Sequence, residues 1–300
     1  MIDLHTHTTM SDGSLTPREL VAEAARQGLS AVAVTDHDSV EGVDEALAAG
    51  RDHGVVVVPG VEIPLEYDRV TLDMLGYFLC GTPDRQFREE LTRLRRERDE
   101  RNARILERLS ALGYPLTPQE LAAVADGEAV GRPHIGEALR QRGYVASISE
   151  AFERFLRRGA PAFVDRRRLG LAEAVRLIRA AGGLAVIAHP GLIRTDPAGL
   201  DRLVREASRR GVVGIECSYP AHDVATVRRC RALAEKYGLV ATGGSDFHGD
   251  IKPGLRLGIG AAGEPILDSV LDELRARCED TPIYPLTARY RGRYTVPRGH

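Results

Sequence analysis

The chain has 300 residues, 41 Lys plus Arg against 43 Asp plus Glu, a formal net charge of −2 and 43% hydrophobic residues. That is the composition of a globular protein, and with no net basic field it argues against stable binding of duplex DNA. No apolar run nears the ~18 residues of a membrane span, no basic and apolar leader opens the chain, and the four Cys lack C-x-x-C spacing, so the expectation is a cytoplasmic protein with free thiols and no membrane partner.

In chain order, residues 2–4 form a short apolar strand. Thr16-Pro17-Arg18-Glu19 is a capping box with Pro in the first turn, Leu20, Val21, Ala24 and Ala25 follow at helical spacing, and Gly28 closes the helix. Residues 31–34 predict a second strand, 40–53 a helix stopped by Gly54, and 55–58 a third strand. From about 83 to 159 there are helix signals and no strand. Phe87, Leu91, Leu94, Ile105, Leu109 and Leu112 share one helical face, which Arg98 and Asn102 interrupt. Thr117-Pro118-Gln119-Glu120 is a second capping box, and short helices are expected at 135–141 and 149–157. Then come helix 171–181, strand 184–188, helix 200–210, strand 212–215, helix 224–237, strand 239–242 and helix 266–277. Apolar strands alternating with amphipathic helices predict a parallel α/β sheet covered by helices. The expected division is 1–80 and 161–280 for the two parts of a barrel, 81–160 for a helical insertion, and 281–300 for a Pro-, Arg- and Tyr-rich extension.

The ionisable residues fall at strand ends. His5 and His7 follow the first strand, Asp36, His37 and Asp38 the second, and Glu62 the third. His189, Glu216, and Asp246 with His248 follow the next three. In a parallel α/β barrel those ends meet at one face, where active sites are built. Imidazoles and carboxylates converging there are what a divalent transition-metal site requires. Each piece alone has an ordinary reading: a surface H-x-H, an Asp at a helix start, a His-Pro turn, an Asx turn. Those readings do not explain why all of them sit at the same end of successive strands. Of the basic residues only Lys236 and Lys252 are lysine, a skew that reads as codon bias.

Taken in order, H-T-H (5–7), S-D-G (11–13), T-D-H-D (35–38), P-G-V-E (59–62), A-H-P (188–190) and S-D-F-H (245–248) resemble the PHP (polymerase and histidinol phosphatase) family. The resemblance covers nearly the whole chain. It implies a distorted (β/α)7 barrel with a helical insertion and two or three divalent metals, Mn2+ first, with Fe2+ or Zn2+ possible. The chain is similar to the stand-alone bacterial branch of nucleoside 3',5'-bisphosphate phosphatases and 5'-3' exoribonucleases. By that resemblance, His5, His7, Glu62 and Asp246 hold a first metal, Glu62 and His189 a second, and Asp12, His37 and His248 a third. One position departs: where the family usually has His before L-G-Y, this chain has Asp73. A carboxylate still binds there with harder ligation, and the other reading is a weak or absent second metal.

The expected reaction is hydrolysis of a phosphomonoester of a nucleotide or short RNA 5' end. Arg132 and His134 are candidates for gripping phosphate. Arg101 and Arg104 of the inserted helix are candidates for a second phosphate. That stretch, 85–108, holds nine Arg against six acids and reads equally as a solvated, ion-paired helix. His222 is a candidate leaving-group acid or substrate contact, and Asp246 a catalytic carboxylate. The alternatives are a cyclic-phosphate diesterase, a histidinol-phosphate phosphatase, or a non-catalytic nucleic-acid-binding or polymerase-associated module. Oligomeric state is not legible.

Overall fold

The computed structural model describes residues 1–79, 83–125, 130–165 and 168–280; the expected 281–300 extension lies outside them. The strands are β1 (Ile2–Asp3), β2 (Ala31–Val34), β3 (Val56–Tyr67), β4 (Val70–Tyr77), β5 (Leu169–Gly170), β6 (Leu184–Ile187), β7 (Val212–Ser218) and β8 (Val240–Gly243). They lie in the order β1-β2-β3-β4-β6-β7-β8, with β5 added to β3. Past the ends of β1 and β8, Thr6 bridges Phe247 in parallel. The His7 N–H donates to the Phe247 carbonyl and the Asp246 N–H to the His5 carbonyl, both at 2.9 Å. The seven-strand sheet therefore curls into a nearly closed barrel.

One expectation is corrected. The sheet is not wholly parallel, because β4 runs antiparallel between β3 and β6. The third strand does not stop at 58 but passes through Pro59-Gly60 to Tyr67. It then turns on Asp68 and Arg69, both at positive φ (46° and 66°), as a two-residue hairpin does when its twist matches the strands. Asp-Arg lacks the Gly that usually marks that turn, and Asp73 and Gly76 interrupt the apolar residues of 72–77, so neither the turn nor the strand stands out in the sequence. The reversal matters for the site: it brings Asp73, near the start of β4, to the face where the parallel strands end.

The helices are α1 (Pro17–Arg26), α2 (Val43–His53), α3 (Arg85–Ala111), α4 (Pro118–Ala125), α5 (Arg132–Gln141), α6 (Ile148–Ala151), α7 (Leu171–Ala180), α8 (Pro197–Arg209), α9 (Val224–Tyr237) and α10 (Ser269–Asp280). The first capping box forms as its sequence predicts, Thr16 accepting from the Glu19 N–H. The expected helix at 149–157 is instead α6 running into a π turn, Phe152–Leu156. The last helix begins at Ser269, because Ile266 is held in the sheet region by its N–H bond to Gly258.

α3 joins two cores. Its first half places Phe87, Leu91 and Leu94 in the cluster beneath the barrel sheet. Its second half places Ile105 and Leu109 with Leu121, Ile135, Leu139 and Phe155 in a separate cluster of the insertion. Leu112, expected on the same face, is 42% exposed, since the helix has ended before it. The two polar interruptions are partnered. Arg98 pairs with buried Asp38 at 2.8 Å, and Asn102 donates to the Val130 carbonyl at 2.8 Å.

Candidate metal centre

Strand geometry aims the side chains. Three of the six non-glycine residues at positive φ among the described residues are Asp38 (49°), His189 (25°) and Asp246 (54°), each just beyond the end of a strand. Such conformations cost of order 1–3 kcal/mol and persist where the surroundings enforce them. Gly244, before Ser245-Asp246, has no room for a Cβ against His5. Asp3, buried, accepts from the N–H groups of His5, Ser245 and Gly258 and from the Ser245 hydroxyl, tying the two halves of the site together.

Three sets of donors converge, each with its ligand atoms within 4.8 Å of one another: His5, His7 and Asp246; His5, Glu62 and His189; and His7, Asp12, His37 and His248. Glu62 links the sets. Its Oε1 lies 2.9 Å from His189 Nε2, while its Oε2 lies 3.4 Å from His5 Nε2 and His7 Nε2 and 3.1 Å from His37 Nδ1. Asp12 Oδ2 lies 3.4 Å from His37 Nε2 and 3.2 Å from His248 Nε2. Asp73 stands at the edge, 3.9 Å from His189 Nε2, and belongs to none of the three sets. Burial and the neighbouring Glu62 carboxylate push its carboxyl upward.

The donor set fits a bound cation. Nε2 of His5 and Nε2 of His7 are buried and have no hydrogen-bond partner among the described residues. Buried polar atoms are almost always satisfied, so two such nitrogens facing carboxylates mark a place for a Lewis acid. Without one, protons serve. Burial opposes the charged ring of His7, but Asp12 outweighs it and holds His7 up to about 10. For His189, burial is outweighed by the bond to Glu62, which holds it up to about 9. Burial likewise opposes ionisation of Asp12, Glu62 and Asp246, yet the surrounding imidazoles hold all three low.

Four residues outside the ligand set that the resemblance implies position it. Glu216 Oε1 is 3.1 Å from His5 Nδ1, and its Oε2 accepts from the His189 N–H at 2.7 Å. This fixes the His5 ring with Nε2 inward. Asp36 accepts from the Thr8 N–H and hydroxyl and from Ser11, shaping the loop that carries Asp12. Tyr219 donates to Asp246 Oδ2 at 3.0 Å and Lys252 lies 3.1 Å from the same oxygen, while Oδ1 faces His7 at 3.2 Å. The two oxygens of Asp246 are thereby sorted. Glu216 and Asp36 end strands, which was the available signal; Lys252 is one of only two lysines.

Beside the centre lies a cavity of about 480 Å³ lined by Asp12 and His37 on one side. Arg98, Arg101, Arg132, Arg168 and Arg194, with Phe152, line the rest together with Pro64, Thr71, Gly131 and Pro133. Arg98 is paired with Asp38 and Arg168 with Glu66 at 3.3 Å. Arg132 donates to the Leu156 carbonyl at 3.2 Å and has no carboxylate partner among the described residues, nor does Arg194.

The remaining predicted contacts divide. Arg101 and Arg132 line the cavity, whereas Arg104 is exposed and does not. His134 does not line it either; its Nδ1 accepts from the Gly131 N–H at 3.1 Å and caps α5. His222 is buried with both ring nitrogens engaged: Nδ1 lies 3.0 Å from the Cys217 carbonyl, and Nε2 accepts from the Gly191 N–H at 3.0 Å. Those bonds engage both ring nitrogens and make His222 a clasp between the loops that follow β6 and β7.

A family model for the PHP domain matches residues 3–115. The 3',5'-nucleoside bisphosphate phosphatase of Chromobacterium violaceum is 32% identical over 284 residues, covering 92% of this chain and 97% of the relative. The 5'-3' exoribonuclease of Haemophilus influenzae is 33% identical over 246 residues, 82% of this chain and 89% of the relative. The phosphoribosyl 1,2-cyclic phosphate 1,2-diphosphodiesterase of Eggerthella lenta is 33% identical over 263 residues, 82% and 94%. A solved amidohydrolase from Chromobacterium violaceum with bound sulfate superposes with a TM-score of 0.74 at 32% identity, over 92% of this chain and 96% of that one.

Proposed function

The chain belongs to the PHP family of metal-dependent phosphoesterases, and we propose that its substrate is a nucleotide carrying a phosphomonoester and a second phosphate. The leading form is a nucleoside 3',5'-bisphosphate, cleaved to nucleoside 5'-monophosphate and phosphate; a short RNA 5' end is the related form. The observation that carries this reading is the charge of the cavity: of the five arginines that line the space next to the metal centre, Arg98 and Arg168 are paired with Asp38 and Glu66, while Arg132 and Arg194 have no carboxylate partner among the described residues. Two such cations beside a metal centre suit a ligand with a second phosphate.

His5, His7, Glu62 and Asp246 would hold one ion, Glu62 and His189 a second with Asp73 at its edge, and Asp12, His37 and His248 a third. Their mixed imidazole and carboxylate chemistry suits Mn2+, with Fe2+ or Zn2+ as rivals. When bound, divalent ions supply hydroxide near neutral pH and neutralise charge on the phosphoryl oxygens. The chain's own part is positioning. Arg132 offers a planar fork that matches two phosphate oxygens. Arg101 lines the same cavity and is the candidate for the second phosphate. Asp246, fixed through Oδ2 by Tyr219 and Lys252, keeps Oδ1 toward the imidazoles as the candidate catalytic carboxylate. Glu216 holds His5 and the His189 backbone in register with it.

The test is phosphate release with Mn2+ from adenosine 3',5'-bisphosphate, histidinol phosphate and a ribosyl 1,2-cyclic phosphate. Turnover of the first with little of the others is the expected result. Preference for either of the others sinks the bisphosphate reading.

A further inference from the structure

We propose that Phe152 is the platform on which the nucleobase of the substrate stacks, so that this enzyme selects nucleotides over bare sugar phosphates. The proposal rests on the nucleotide reading above and names what would make it selective. At about 480 Å³ the cavity is far larger than a phosphate and within the range of small-molecule sites. Its cations account for the anionic part of a ligand. Among the described residues that line it, Phe152 is the one aromatic side chain besides His37 of the metal centre, and Pro64 and Pro133 add apolar surface. Phosphate and ribose have no use for a flat π face; a base does.

The ring is held in place. Phe152 opens the π turn, whose Phe155 and Leu156 are buried in the insertion core. The Arg157 N–H closes the wide turn on the Phe152 carbonyl at 2.8 Å. π turns inside helices recur at functional sites, because the extra residue re-aims one side chain while its neighbours stay packed. Here Phe155 and Leu156 are buried, Glu153 and Arg154 face solvent, and Phe152, packed half-buried against the same cluster, lines the cavity wall. Arg132 lies over one face of it, with its guanidinium carbon 6.0 Å from the Phe152 ring centroid and 5.3 Å from that of Phe163. A phosphate on Arg132 therefore puts the adjoining nucleoside within reach of the ring.

The experiment uses the full chain loaded with Mn2+ and titrates adenosine 5'-monophosphate and ribose 5-phosphate by calorimetry. The wild type is expected to bind the nucleotide roughly 10–100-fold more tightly. Phe152→Leu, which keeps apolar volume in the π turn, should weaken only the nucleotide and shrink that ratio to within about threefold; Phe152→Trp should retain it. Equal binding of both ligands by the wild type, binding of neither, or equal weakening of both by Phe152→Leu overturns the platform. Phosphate release, run in parallel, judges the parent reading separately. Base discrimination without release from any bisphosphate leaves the platform standing and removes the reaction. Release without base discrimination does the reverse.

Discussion

The ring of imidazoles at the barrel mouth and the arginine wall beside it are built in opposite ways. The ring stands on strand ends. Its side chains are short, nearly all are buried, and several are oriented by a further residue, Glu216, Tyr219 or Asp36. Most of the wall stands on the insertion or on loops. Its side chains are long, and Arg98 and Arg168 already hold acids of the barrel. The difference teaches where each kind of precision is kept: under the proposed function the chemistry would sit on a scaffold of ladder hydrogen bonds and the choice of substrate on the helices of the insertion. A rigid first set supported by a second is what a reacting centre requires, whereas phosphate recognition tolerates flexible cations.

The sharpest break in that comparison is to remove the ring. Asp246→Ala or His5→Ala should lower kcat by more than about 100-fold and release bound metal, since even supporting residues of such centres are worth 10–100-fold. Elemental analysis beside kinetics checks it; stoichiometric metal with unchanged turnover breaks the assignment. Protons come next. In the metal-free protein His7 and His189 hold theirs up to about 10 and about 9. Metal must displace them, so apparent affinity should fall about tenfold per unit of falling pH for each proton displaced. Calorimetry at pH 7.5 in buffers of different ionisation enthalpy should show proton release. The same shifts stabilise the metal-free fold fully below the unfolded imidazole value of about 6.5. That stability declines as pH rises from about 6.5 and is gone above 9 to 10, so the Tm should drop across that whole window and recover on adding metal.

Glu216→Gln should weaken metal binding or activity about 10–100-fold while leaving the fold intact. An effect as large as that of Asp246→Ala would place Glu216 in the ring itself. On the wall, Arg132→Ala should cost about 10–100-fold in kcat/KM, from loss of a charge-assisted bond of about 1.5–3 kcal/mol, and appear mainly in KM. A loss confined to kcat would move Arg132 into the reacting centre. Arg104→Ala, at an exposed position outside the cavity, should change kcat/KM by less than about twofold.

Much of the barrel is legible in one dimension because its rules are local. Capping boxes, glycine stops and apolar runs mark α1, α2, β2 and β6 to β8 within a few residues, and strand order then brings distant His and Asp together. The inward-facing donors needed no more than that strands of such a sheet end on one side. What the sequence could not decide depends on reach across space. Whether β4 runs up or down turns on the Asp68-Arg69 hairpin, and only the fold shows that Asp73 arrives at the mouth by reversal. Arg101 and Arg104 are three apart on one helix and look alike in sequence. Packing against the barrel sends one to the cavity and the other to solvent. The sequence offers His222 as an acid, and only the fold shows its nitrogens engaged by the Cys217 carbonyl of β7 and the Gly191 N–H of the loop after β6. Residue type and strand phase are properties of the chain by itself; the protons a side chain can still give, and the face it turns to a ligand, are set by neighbours that only folding supplies.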